Sequence, residues 1–238
     1  MDDDTPFAEA VAIAGNMIVA VGTGREVEAL KAKHTRVVDA GGKTVTPGLI
    51  ESHVHIFMGA AELDNLDLAP VTGLDALTAA VRAYAARKPH LQLVYANAAS
   101  YGAVGEGVAI TRQHLDRVLP DRPFAMMGSD HHTVWANTKA LELAGILHGA
   151  STPTGSQIVM AADGTAAGAL YEPGAFLRVL RLTATGGRDA LGFTHAADPD
   201  PAPSAAERAS DREILRKGLA YCAGHGFTSL HNMDGNFY

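Results

Sequence analysis

"TPGLIESHVHIF", residues 46–57, decides how the chain is read. A Pro-Gly turn leads into the apolar pair Leu49-Ile50 and then into two histidines one residue apart, His53 and His55. The pattern predicts a buried strand whose polar residues gather at its C-terminal end. On a strand, residues i and i+2 project to one side, so both imidazoles face one point while Val54 faces the other way. Spacing alone is weak support, since eleven histidines in 238 residues give roughly 0.5 His-x-His pairs by chance. The setting is stronger. Strand ends are where barrel enzymes carry their active sites, and neutral imidazoles at this spacing suit zinc or another borderline divalent ion.

Outward from this stretch the chain alternates between two periodicities. "TGLDALTAAVRAYAARK" (72–88) predicts a helix capped by Thr72, with Leu74, Leu77, Val81 and Tyr84 as its apolar stripe. "LQLVYANA" (91–98) and "RPFAMMGSD" (122–130) predict strands, and between them "TRQHLDRVLP" (111–120) predicts a helix ended by Pro120. "TVWANTKALELAG" (133–145) reads as a helix closed by Gly145, and "SQIVMAADGTAAGALYE" (156–172) as a hairpin turning at Asp163-Gly164. The Gly-, Pro-, Ala- and Asp-rich segment 184–207 reads as a mobile loop, followed by the helix "DREILRKGLAYCAGHG" (211–226) and the strand "FTSLHN" (227–232). Upstream, "AEAVAIAGNMIVAVG" (8–22) predicts a hairpin about Gly15-Asn16, then "REVEALKAKH" (25–34) a short helix. "RVVDAGGKTVTPG" (36–48) predicts two more short strands around Gly41-Gly42. Strands alternating with helices argue for α/β architecture with parallel strands.

Composition narrows the function classes. The chain is 47% hydrophobic and 19% charged, values for a globular protein of one large or two smaller domains. With a formal net charge of −7 and no basic stripe, nucleic acid and anionic membrane are poor partners. Cys222 is the sole cysteine, which excludes an intramolecular disulfide framework and a thiolate-only metal cluster. No stretch has the ~20 apolar residues of a membrane span, and the acidic start "MDDDTPFAEA" lacks the basic, apolar character of a secretory signal. The default address is cytoplasmic.

"VVDAGGKTVTPGLIESHVH" (37–55) resembles the start of the amidohydrolase superfamily barrel, whose signature is Pro-Gly, two apolar residues, then Asp-x-His-x-His. "SDHHTVWANTKALELAGI" (129–146), "GTAAGALYEPGA" (164–175) and "GHGFTSLHNMDG" (224–235) resemble amidohydrolase family 3, a subgroup that includes YtcJ-like proteins and N-substituted formamide deformylases. The resemblance implies a metal-dependent (β/α)8 TIM barrel beside a small β-sandwich. It also implies hydrolysis of non-peptide amide-type carbon–nitrogen bonds by a metal-activated water. His53 and His55 would be metal ligands for one or two divalent ions, zinc foremost. Glu51 stands where the family carries Asp, leaving its role around the metal open. The resemblance further implies a small-molecule amide-type substrate and, for the full-length protein, a homo-oligomer.

Other residues carry two readings each. Asp130 and His132 either line a substrate pocket, as their family position implies, or serve as a cap and a satisfied loop imidazole. Asn137 and Trp135 are expected to shape that pocket, although helix packing explains Trp135 equally well. Glu172 follows an apolar strand as a metal-facing or substrate-facing carboxylate, and His231 ends its strand either as a site residue or as a structural histidine.

Read this way, residues 1–48 form part of a β-sandwich domain. Residues 49–238 form the N-terminal part of the barrel, with a long insertion over about 60–170. Only 190 residues then remain for a barrel that takes ~250. The expectation is therefore a truncated, inactive portion of the enzyme, with the general base and later ligands beyond residue 238. The alternative is a non-catalytic metal-binding or regulatory module of the same fold.

Overall fold

The computed structural model describes residues 6–194 and 199–234, and the chain divides into two units, Met1–Pro47 and Gly48–Tyr238. In the first, strands β1 (Ala10–Ala14) and β2 (Met17–Gly22) pair antiparallel about Gly15, whose φ of +63° suits the tight turn. Helix α1 (Gly24–Glu28) follows under a reciprocal cap: the Thr23 hydroxyl accepts the Glu26 N–H and the Glu26 carboxylate accepts the Thr23 N–H. The two strands expected around Gly41-Gly42 do not form. Val37, Val38 and Val45 stand exposed; a strand exists only where a neighbour takes its hydrogen bonds, and no described strand does so here.

The second unit opens with β3 (Leu49–Val54), which runs directly into α2 (Ile56–Glu62). Gly48 allows this entry, because a Cβ there would collide with the Thr228 side chain. Next come β4 (Leu66–Asp67), α3 (Leu74–Arg87), β5 (Val94–Ala99), α4 (Arg112–Val118) and β6 (Phe124–Gly128). The expected apolar stripe of α3 does face inward, with Leu77, Val81 and Tyr84 buried, but its N-cap is Gly73 rather than Thr72.

The segment expected to be one helix from Thr133 splits into β7 (Thr133–Ala136) and α5 (Thr138–Leu143). The β-branched and aromatic run Thr-Val-Trp pairs antiparallel with β6 on one side and β9 on the other, so sheet hydrogen bonds and burial outweigh the local helical pattern. Strands β8 (Gln157–Met160) and β9 (Ala166–Tyr171) form the predicted hairpin, with Gly164 at φ +77°. Helices α6 (Pro173–Leu180) and α7 (Ala205–Gly224) and strand β10 (Phe227–Asn232) complete the unit.

Six strands form one sheet in the order β4-β5-β6-β7-β9-β8. It is mixed rather than purely parallel: β4, β5 and β6 run parallel, while β7, β9 and β8 pair antiparallel. Its central strands bury both faces. Phe124 and Met126 of β6 join Leu77, Val81 and Leu115 on one side, whereas Ala125 and Met127 join Leu141, Leu170 and Phe176 on the other. The architecture is thus a mixed α/β fold.

A separate parallel pair, β3 with β10, forms a two-stranded sheet. The expectation of a buried strand fails here: Leu49 is 53% and Ile50 73% exposed, so neither face of the strand is covered at this end by a described layer. Of the segment expected to be a loop, Arg188–Thr194 is a 3-10 helix. It is tied to α7 by Arg188, whose Nε and Nη2 donate to the two carboxylate oxygens of Asp211 at 2.7 and 2.9 Å. Residues 195–198 of that segment lie outside the described residues. No helix among the described residues is long and apolar enough to cross a membrane.

Candidate metal and substrate site

His53 is the penultimate residue of β3 and exposed, whereas His55 lies one step past the strand as the N-cap residue of α2. Their ring centres are 5.6 Å apart. Two imidazoles bound to one tetrahedral ion at about 2 Å would hold their centres about 5 Å apart, so the pair is near ligating separation.

The orientation of His55 comes from the far end of the chain. Asp234, just beyond β10, places Oδ1 2.6 Å from His55 Nδ1 and accepts the Phe57 N–H on Oδ2 at 3.2 Å. An ionised carboxylate only accepts, so Nδ1 carries the proton and Nε2 carries the lone pair that a metal needs. Asp234 is only 3% exposed, which shields this bond from water. Asn232 adds a second tie by accepting the Ile56 N–H on Oδ1 at 3.2 Å. Parallel pairing of β10 with β3 brings these C-terminal ends together. The donor set therefore fits part of a divalent-ion site: two imidazoles, one held in the ligating tautomer by a buried carboxylate. Among the described residues no group of three or more His, Cys, Asp or Glu side chains is placed to hold an ion.

Glu51 is half-buried on β3, where its Oε1 accepts the N–H of His53 at 3.0 Å. The carboxylate thus braces the backbone of a ligand candidate. His231 is exposed on β10 between Leu230 and Asn232, which pair with Glu51 and Val54, and its side chain makes no hydrogen bond among the described residues.

The remaining candidates separate into two places. Asp130, His132 and Glu172 come together at one end of the six-stranded sheet. His132 Nδ1 lies 3.0 Å from Glu172 Oε1, and the Glu172 N–H donates to the His132 carbonyl at 3.0 Å. Asp130 accepts from the His132 N–H at 3.1 Å and from the Tyr101 hydroxyl at 3.0 Å. Burial opposes ionisation of Asp130, but these hydrogen bonds outweigh it and hold its carboxyl below the usual range. Among the described residues three non-glycine residues have positive φ, Ala98 (57°), His131 (61°) and Glu172 (63°). All three belong to this end of the sheet, where the Ser129 N–H also donates to the Ala99 carbonyl. Strain of this kind persists where the surroundings over-determine it, commonly at functional sites.

Asn137 is elsewhere, wholly buried at the N-terminus of α5. Its Oδ1 accepts from the N–H groups of Phe124 and Ala140, and its Nδ2 donates to the carbonyls of Leu119 and Arg122. All four hydrogen-bonding positions of the amide are filled, so Asn137 pins the fold and has none left for a substrate. Trp135 is likewise a core residue, edge-on to Tyr101 at 4.9 Å.

Sequence reasoning passed over Asp234, Glu62 and His131. Glu62 ends α2 two helical turns from His55, and its Oε1 lies 3.7 Å from His131 Nδ1. Burial first, then the charges of Asp189 and Asp67, push the Glu62 carboxyl up to about 7. Burial lowers His131, a shift that Asp130 opposes and that His132 and His55 reinforce. Both partners are thus driven towards neutrality, so their approach is a polar contact and not a fixed ion pair. The available signals were position alone: Asp234 two residues past a parallel strand, and Glu62 on the His55 side of its helix.

The profile of the amidohydrolase family matches residues 36–238. The chain is 33% identical over 179 residues to an N-substituted formamide deformylase of Arthrobacter pascens, covering 74% of this chain and 33% of that protein. It is 28% identical over 155 residues to the putative amidohydrolase YtcJ of Bacillus subtilis, covering 63% of this chain and 29% of that protein. An uncharacterized metal-dependent hydrolase from Pyrococcus horikoshii shares the fold with a TM-score of 0.54 at 16% identity, over 92% of this chain and 38% of that one. The chain therefore spans about a third of the length of these relatives.

Proposed function

Since the chain belongs to the amidohydrolase family, we propose that it contributes the first metal ligands and part of the substrate wall to a hydrolase of non-peptide amide-type carbon–nitrogen bonds. The observation that carries this reading is the His55–Asp234 contact of 2.6 Å, which orients the His55 ring with its centre 5.6 Å from that of His53. His53 and His55 would hold a divalent ion, zinc by the chemistry of the donors. When bound, such an ion lowers the pKa of water and polarises a carbonyl. Asp234 keeps His55 in the ligating tautomer, and Glu51 steadies the His53 backbone. Asp130, His132 and Glu172 offer acceptors and an imidazole to the polar part of a small amide-type substrate.

The open β3–β10 pair supports a further part of the reading: it is a portion of a (β/α)8 barrel whose other strands cover Leu49 and Ile50. The hairpin of the first unit belongs, on the same reading, to a small β-sandwich. Turnover then requires the completed barrel, and the 238 residues alone are inactive. A cytoplasmic, homo-oligomeric enzyme is the setting proposed for the whole.

Zinc titration of the purified chain, followed by calorimetry and elemental analysis, tests the ligand assignment. Saturable binding is expected, lost in His53→Ala and in His55→Ala, and weakened about 10–100-fold in Asp234→Asn. Unchanged bound zinc in both histidine variants would overturn the assignment.

A further inference from the structure

A cavity of about 380 Å³ lies away from the histidine pair, between the C-terminal end of α2, helix α3, strand β5, the segment 183–189 and helix α7. Its size falls at the lower end of the range for small-molecule sites. Exposed His90 and Lys217 stand at its mouth, while Leu93, Tyr95 and Thr185 are buried linings.

Two polar groups of the lining, Tyr95 and Asp189, have no charged partner among the described residues. Tyr95 is only 7% exposed, lines the cavity, and its hydroxyl makes no hydrogen bond among the described residues. The phenol oxygen is not among the wholly buried unpartnered atoms, so it keeps surface on the cavity where an entering group can reach it. Asp189 lines the same space and accepts a short hydrogen bond from Thr185, yet no described cation lies in ion-pair contact with it. The nearest guanidinium in sequence, Arg188, is engaged by Asp211 and Glu207.

The cations of the cavity are committed in a similar way. Lys217 pairs with Asp64 at 3.1 Å, and Lys88 lies over the Tyr84 ring, 5.7 Å from its centre. The buried end is consequently negative. Burial, followed by the fields of Asp189 and Glu62, pushes the Tyr95 hydroxyl well above its usual range. Burial likewise raises the Asp189 carboxyl, against the hydrogen bond from Thr185.

We propose that this cavity is a binding site for a small organic ammonium, with its N–H groups donated to Asp189 and the Tyr95 hydroxyl and its apolar part against Tyr84, Leu93 and Ile214. An ammonium supplies what the site lacks: donors for a carboxylate and a phenol oxygen, and a positive charge in a negative, partly dry recess. The aromatic walls add attraction for a cation. The site is independent of the metal reading, because none of its lining residues is a ligand candidate.

Benzylammonium and benzoate, alike in size and opposite in charge, distinguish the proposal by calorimetry and NMR titration on the 238-residue chain. Benzylammonium is expected to bind saturably in the millimolar range or tighter, and benzoate not to bind. Asp189→Asn should weaken benzylammonium about tenfold or more, with Tyr95→Phe weakening it less and His55→Ala leaving it unchanged. Equal or stronger binding of benzoate would overturn the proposal, as would no saturable binding of benzylammonium to the unmutated chain. An Asp189→Asn variant that folds and binds benzylammonium as tightly as the parent would overturn it as well. Because the comparison of the two ligands needs no variant, it decides the matter even where a substitution unfolds the chain.

Discussion

Replacing Asn137 with alanine should damage folding and leave metal binding alone. The side chain is 0% exposed and makes four hydrogen bonds: N–H donors from Phe124 at 3.0 Å and Ala140 at 2.9 Å, and its own amide to the carbonyls of Leu119 at 2.9 Å and Arg122 at 2.8 Å. Loss of the cap on α5 costs about 1 kcal/mol. The Phe124 N–H and the two carbonyls, left without this partner, add about 1 kcal/mol each. The sum is about 4 kcal/mol, a large share of a typical domain stability of about 5–15 kcal/mol. With a urea slope of about 2 kcal/mol/M, the midpoint falls by about 2 M. Urea unfolding followed by far-UV circular dichroism measures this directly. Asn137→Ser restores an acceptor for the Ala140 N–H and should recover about 1 kcal/mol. An alanine variant within about 1 kcal/mol of the parent, or one of normal stability with altered ligand binding, would refute the assignment of Asn137 as a structural pin.

Glu62 makes stability depend on pH. Its carboxyl titrates near 7 in the folded chain against an ordinary value of 4.5, so the folded state holds the proton more tightly. The contribution is complete below about 4.5 and is lost as pH rises to about 7, a change of at most about 3 kcal/mol. Glu62→Gln should flatten that slope and raise stability at pH 8; an unchanged pH profile of the denaturation midpoint would count against the buried, charge-crowded setting. Breaking the Arg188–Asp211 pair, in which Asp211 is buried, should cost about 3 kcal/mol in Asp211→Asn. Thermal unfolding reads that loss, and a shift below about 1 kcal/mol would mean that the pair behaves as a solvated surface contact.

Much of the fold follows from local pattern. The stripe Leu77, Val81 and Tyr84 predicts α3, Gly164 predicts the β8–β9 turn, and β5, β6 and β10 appear where their apolar runs predict strands. These features depend on periodicity and on backbone angles that only certain residues adopt, and both are written in neighbouring positions. His53 and His55 are legible for the same reason, as a spacing of two on one extended segment.

What the tertiary structure alone decided is which distant groups meet and which faces are covered. Thr133–Ala136 becomes a strand because β6 and β9 offer it hydrogen bonds, against its local helical pattern. Val37, Val38 and Val45 stay outside any strand for want of a described neighbour to pair with. Asp234 reaches His55 across 179 positions only because β10 lies parallel to β3. Asn137 looks like a pocket residue in sequence and proves to be a buried cap. Hydrogen-bond partners far apart along the chain leave no periodic mark on it, so the tautomer of His55 and the role of Asn137 could be read only from the folded molecule.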